Sequence, residues 1–286
     1  MTYTYLFKRP VSIWRVTLLI TITSFIMSSC SKSAASSGSG DNKGSDQRSG
    51  DSNSTHKSLG YMPDQQGTVL TYTIVSGDEI GASARINYLD IHDSAGYRVA
   101  AAEAVVAGIK LYPSARYNEE YTYSTSYFAT AYYDALQLLA STFNSFTHQE
   151  TPLTMKLPHK DALHKVAFPT TVTATWHGVK DEDGTVTDSK MKQTVQEGVI
   201  DSSAVIQTAA GTYKDCIRVH YLKSQQRIIS ISSPDGDYTV DNTVHFDIMV
   251  WMAKGVGAVK TIELNLDTGL STVTDLTKIE QPGNAD

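Results

Sequence analysis

From Gly67 to Ile279 the chain repeats one pattern, a short run of β-branched and aromatic residues followed by a turn. Thr68–Val75 (TVLTYTIV) lies between Gly67 and Gly77. Ala84–Ile91 and Tyr97–Val106 are joined by His92-Asp93-Ser94-Ala95-Gly96, a hairpin connection. Glu120–Ala129, Thr170–His177, Met191–Ile200, Ala204–Thr208, Tyr213–Leu222 and Arg227–Ser232 continue the series. Thr243–Met252, Gly257–Leu266 and Ser271–Ile279 complete it. Turn residues punctuate the later runs at Asp183-Gly184, Ala210-Gly211, Pro234-Asp235-Gly236 and Thr268-Gly269. The rhythm predicts an all-β domain, a single antiparallel curved sheet in the form of an open barrel or a sandwich. One stretch competes with it. Tyr132, Leu136, Leu139, Phe143 and Phe146 recur at helical spacing, so residues 130–146 carry a helix signal inside a β pattern.

The domain is preceded by a segment of another kind. Lys8, Arg9 and Arg15 precede the run Val16–Met27, and the first thirty residues hold no acid. That run is too short for the roughly 20 apolar residues needed to cross a bilayer. A positive start, a short apolar core and small residues are the marks of a signal peptide over residues 1–29. Met27-Ser28-Ser29-Cys30 resembles the lipobox of bacterial lipoproteins, with Met where Leu is usual. The expectation is that Cys30 becomes the mature N-terminus and carries a diacylglycerol and an acyl chain, enough for lasting attachment to a membrane. Ser31 in the next position resembles lipoproteins sorted to an outer membrane.

Residues 31–60 are half Ser and Gly, with Ala34, Ala35 and Leu59 as the only aliphatic residues. Such a sequence cannot bury enough apolar surface to offset its ordering entropy. Cys30 and residues 31–60 therefore read as a flexible tether, whose ends stand on the order of 30 Å apart as a random coil. Residues 61–281 form the expected β-rich globular domain and residues 282–286 a tail. The formal net charge is −6; three leader cations and one net tether cation leave the folded part at −10. An acidic domain argues against nucleic acid as a partner. Once Cys30 is lipidated, Cys216 is the one cysteine left, so no intrachain disulfide can form. Its place in the alternating DCIRVHYL run predicts a buried strand thiol.

Four clusters carry a family resemblance. Tyr61, Pro63, Gly67 and Tyr72 open it, and Phe168-Pro169 with Trp176 stand in the middle. Thr208-Ala209-Ala210-Gly211-Thr212-Tyr213 with Cys216, and Trp251–Lys260 (WMAKGVGAVK), follow. Together they resemble the TapB-like bacterial envelope proteins, a family with a domain of unknown function. The resemblance implies a secreted or lipidated all-β protein and favours strands over 130–146. It supplies no catalytic residues. The approach to the tryptophan departs from the family pattern, because Thr171–Thr175 lacks the expected glycine.

Chemistry is sparse in the sequence. Gly211 is placed to make a tight reversal, and Gly255 and Gly257 mark a bulge or corner between two strand-like runs. Placing Gly184 at the sixth position of a calcium loop puts Lys190 where a bidentate Glu is needed. A hairpin turn suits Asp181–Asp188 better. His159 and His164 lack the further ligands of a zinc site, so no metal is expected. There is no G-x-S-x-G elbow, S-x-x-K or P-loop, so no catalytic residue is assigned and no enzyme is expected. Trp176, Trp251 and the alternating Tyr121, Tyr123 and Tyr127 are the candidate ligand contacts, each with a core or half-buried sheet position as the plainer reading. The expected role is a lipid-anchored outer-membrane protein that binds an apolar small molecule or an envelope protein. The alternatives are a surface hydrolase of glycan or peptide and a structural spacer or adhesin.

Overall fold

A computed structural model describes residues 60–77, 80–106, 109–126, 143–151, 153–182 and 184–283. Cys30, the leader, most of the tether, Tyr127 and residues 130–142 of the helix-or-strand segment lie outside them. The first strands are β1 (Val69–Ser76), β2 (Ser83–Ser94), β3 (Tyr97–Val106), β4 (Ile109–Leu111), β5 (Ser114–Tyr117) and β6 (Tyr121–Ser126). After the undescribed segment come β7 (Ser145–Glu150), β8 (Leu153–Pro158), β9 (Val166–Phe168), β10 (Val172–Glu182) and β11 (Thr185–Val195). The chain closes with β12 (Gly198–Thr208), β13 (Gly211–Ser233), β14 (Gly236–Ala253), β15 (Gly257–Asn265) and β16 (Ser271–Glu280). Among the described residues there is no helix. The end of the helical alternative is strand, with Phe146 opposite Gly178 in the β7–β10 ladder.

All of these strands belong to one antiparallel sheet, ordered β7-β10-β11-β13-β14-β15-β16-β1-β2-β3-β5-β6-β8. β12 takes the lower half of the β13 edge that β11 takes above, and β9 pairs with β12. This order brings β8 back beside β9 without a ladder between them, so the lower part of the sheet curls into a barrel that stays open. Alternation explains the core. Ile217, Val219 and Tyr221 of β13 face Ile248 and Val250 of β14, and Leu70, Tyr72 and Ile74 of β1 continue the same inner row. Leu153, Met155 and Leu157 give β8 its fully buried face. β3 contributes Ala100, Ala102 and Ala104, small side chains that leave room for buried Tyr72 and for Tyr88, the ladder neighbour of Ala102. The Tyr72 hydroxyl donates to the Ala258 carbonyl at 3.0 Å, which satisfies the one polar atom that this side chain buries.

The chain enters at one end of the barrel. Gly60 accepts from the Gly255 N–H at 2.7 Å, Tyr61 donates its N–H to Thr122 Oγ1 at 2.9 Å, and Met62 is buried. Gly255 sits in the β14–β15 turn with φ of 74°, a left-handed conformation that glycine adopts without strain.

Two differences in strand boundaries from the sequence reading bear on the arm, beside five short strands, β4, β5, β7, β8 and β9, that it did not contain. The runs Tyr213–Leu222 and Arg227–Ser232 are one strand of 23 residues, and the run from Thr243 begins seven residues earlier, at Gly236. Met191–Ile200 is instead two strands, divided at Gln196-Glu197, where the partner edge passes from the upper to the lower half of β13. The reason for the first difference is exposure. Residues 224–233 and 236–243 rise beyond the barrel, where both faces meet water and the inside–outside alternation of hydrophobicity fades.

Candidate functional site

The long β13–β14 hairpin forms, with β11, β10 and β7, an arm above the barrel. Among the described residues its outer border is an unpaired edge. β14 pairs with β13 along its whole length but with β15 only from Phe246 toward Ala253. His245 receives the last bond, its carbonyl accepting the Leu266 N–H at 2.8 Å, and its own N–H donates to Asp267 Oδ2 at 2.7 Å. His245 thus turns both backbone groups toward the β15 side. Because direction alternates along an antiparallel strand, Thr243, Asp241, Thr239 and Asp237 turn theirs the same way. No described strand pairs with them. Their side chains share one face, while Tyr238, Val240, Asn242 and Val244 occupy the other. Tyr238 is 61% exposed, and Leu266 and Leu270 project at the foot of the edge, at 49% and 62%. The sequence reading missed this strand start. Tyr238, Val240 and Val244 alternate with Asp and Thr after a Pro-Asp-Gly turn, which is the signal that was available.

The candidate ligand contacts are not brought together. Trp176 is 6% exposed and stands opposite Met191, in the row that ends at Asn242. Trp251 is 8% exposed and stands opposite Arg218 and Lys260, with the Arg218 guanidinium 5.8 Å from its ring. Nine residues along β14 separate the two rows, roughly 30 Å, and odd and even positions face opposite sides. Tyr121 and Tyr123 share one face of β6, each with a cation on its ring. Lys156 Nζ lies 3.9 Å from the Tyr121 ring, and Arg116 lies 5.4 Å from that of Tyr123. Gly211 opens β13, and an added Cβ on Gly257 would meet the Tyr61 carbonyl at 3.4 Å. Asp181 and Asp188 lie on the paired strands of the β10–β11 hairpin.

The ionisable groups form separate clusters. Arg218 donates from Nε and Nη2 to Asp201 at 2.7 and 2.8 Å, and His220 stands between Asp201 at 3.4 Å and Asp247 at 2.6 Å. The Arg218 hydrogen bonds hold the Asp201 carboxyl below the usual carboxylate range. Inside the barrel mouth, Lys223 donates to Glu263 at 2.7 Å, both almost fully buried. At the chain entry, His159 Nε2 is 2.9 Å from Thr122 Oγ1, and Nδ1 is 3.2 Å from the Glu119 carbonyl. Burial lowers the His159 pKa, in keeping with a neutral ring that donates through Nδ1. Cys216 is buried, and desolvation pushes its thiol up to about 11, so it behaves as a core residue and not as a nucleophile. Among the described residues no three His, Cys, Asp or Glu side chains gather as a metal site would require.

Space is distributed unevenly. The cavity inside the barrel lined by Met62, Tyr72, Tyr88, Leu157 and Ala258 measures only about 20 Å³. A cleft of about 970 Å³ lies at the chain entry beside His159 and Lys254. A trough of about 570 Å³ crosses the arm over Thr175, Lys190, Lys192 and Gln226.

No protein-family model matches the chain, and no curated protein does. Solved structures do. A candidate lipoprotein from Parabacteroides distasonis superposes with a TM-score of 0.51 at 16% identity, covering 77% of this chain and 98% of that one. A candidate exported protein with a YmcC-like fold, from Bacteroides fragilis, gives 0.50 at 15% identity, with 77% and 98% covered. Identity this low speaks for the fold alone. The all-β part of the resemblance drawn from Tyr61, Trp176, Gly211 and Trp251 thus has structural company, whereas its TapB-like assignment has none. The chain has the fold of these two bacterial proteins.

Proposed function

We propose that this chain is a lipid-anchored protein of a bacterial outer membrane, and that it is a non-enzymatic assembly module that docks a protein partner on the β14 edge. The observation that carries the docking is the run of outward backbone groups from Asp237 to Thr243 on an arm that rises clear of the barrel. Strand addition to such an edge is a recurrent mode of peptide recognition. The cavity of about 20 Å³ inside the barrel is far smaller than the roughly 300 Å³ or more of a small-molecule site, which favours a protein partner. Anchoring rests on Cys30 and the segment before it. The two lipoprotein-like and exported relatives in fold support an envelope location, and the TapB-like resemblance fits the same reading.

The geometry suits a tethered binder. The tether joins the domain at Gly60, beside the β14–β15 turn, while the arm tip at Gly236 lies at the other end of the 18-residue β14. A strand of that length spans roughly 60 Å if straight. The attachment point of the tether and the tip of the arm thus lie at opposite ends of β14.

Two experiments test the proposal. Cys30→Ala should release the protein from membrane fractions; retention would contradict anchoring at that residue. A photo-crosslinking residue at Tyr238 should give one discrete adduct in the envelope, and the same residue at exposed Tyr112 should give none. Equal adducts at both sites, or none at Tyr238, would contradict docking at the edge.

A further inference from the structure

We infer that the β14 edge takes an extended partner segment in which basic and apolar side chains alternate. This rests on the docking reading above and adds the chemistry of the partner. An added strand would continue the line of β15, which leaves the edge at Leu266. From Thr243 to Asp237 there is room for about seven residues, roughly 23 Å. Residues opposite Asp237, Thr239, Asp241 and Thr243 would share their face, and residues opposite Tyr238, Val240, Asn242 and Val244 the other.

The first face carries Asp237 and Asp241 beside the open edge, and its cations, Lys190 and Lys192, stand two strands away on β11. Asp237 is held by the Ser232 hydroxyl at 2.6 Å, and Asp241 by the Gln226 amide at 3.1 and 3.2 Å, both neutral donors. The chain has no lysine or arginine between Arg227 and Lys254. Basic side chains on the incoming strand would supply the missing countercharge directly across the ladder. The second face, with Tyr238, Val240 and Val244, suits β-branched or aromatic side chains.

A second copy of this chain fits poorly. Antiparallel self-pairing centred on Val240 sets Asp237 opposite Thr243 and Asp241 opposite Thr239, and it still gathers Asp237 and Asp241 of both copies on one face, at diagonal positions. Like charges so placed are destabilising. Charged residues are a common protection of an exposed edge against self-association, and here the same aspartates select for a cationic strand.

The test uses the mature chain with Cys30→Ala and two synthetic heptapeptides, one alternating lysine with valine and one alternating glutamate with valine. Amide resonances of Asp237, Thr239, Asp241 and Thr243 should shift and exchange more slowly with the lysine peptide only. Replacing Asp237→Asn and Asp241→Asn together should weaken that binding about tenfold, the product of two modest cross-strand charge pairs. Thr239→Pro removes an outward N–H while sparing the β13 ladder, so it should abolish binding and leave the fold intact. Equal affinity for both peptides, no binding up to millimolar concentration, or unchanged binding by Thr239→Pro would overturn the inference. If the lysine peptide fails while the Tyr238 adduct forms in the envelope, the partner chemistry is wrong and the docking edge stands. If the adduct is also absent, the docking reading falls with it.

Discussion

Asp267 holds His245 twice, through the backbone N–H at 2.7 Å and the ring Nδ1 at 3.2 Å, at the point where β14 loses its partner strand. These two bonds, the backbone one first, keep the Asp267 carboxyl below its ordinary range. Asp267 thus acts as a side-chain stop for the β14–β15 ladder.

Asp267→Ala should leave the fold in place and loosen this stop. The His245 amide should then exchange faster, with the change confined to residues near the loop. Unchanged exchange at His245 would show that the carboxylate does not cap the ladder.

The Asp201–Arg218 pair predicts a pH dependence. The Asp201 pKa is depressed in the folded protein, so its contribution is present above the unfolded value near 3.9 and is lost as pH falls through the folded one. The side chains are 26% and 31% exposed, which with the two-pronged geometry suggests about 1 kcal/mol for Asp201→Asn at neutral pH. Denaturant midpoints of wild type and variant should converge at low pH. A constant gap across the acid range would count against the pair.

Lys223 and Glu263 should behave differently, because they are buried at 5% and 7% exposure. Lys223→Met strands a carboxylate in the barrel mouth and should cost about 3–5 kcal/mol. Adding Glu263→Leu should recover most of that loss, since a well-packed apolar pair often replaces a buried ion pair without penalty. Additive losses in the double variant would contradict this.

Trp251→Ala should cost about 3–5 kcal/mol, in the range for large buried aromatics. An unchanged denaturation midpoint would mark Trp251 as a ligand contact instead.

Much of this architecture was legible in residues. Tyr97–Val106, Gly257 and Ser271 mark strand starts or spans that the structure repeats, because each has one face in the core and one in water. The turns at Ala210-Gly211, Pro234-Asp235-Gly236 and Thr268-Gly269 were equally plain. The arm was not. Ser224, Gln225 and Gln226 interrupt the apolar alternation of β13, and Asp237 and Asp241 do the same for β14, since neither stretch reaches the core. β8 escaped notice for the opposite reason, being a short run between Pro152 and Pro158 whose burial depends on the return of the sheet upon itself. The unpaired edge was invisible because openness is a property of pairing: nothing in Asp237–Thr243 states that β15 ends at Asn265.

Amide hydrogen exchange along Asp237–Val244 tests the open edge most directly. Asp237, Thr239, Asp241 and Thr243 should exchange almost without protection, while Tyr238, Val240, Asn242 and Val244 stay protected by β13. Uniform protection of all eight would mean that the edge is already covered and would contradict the account.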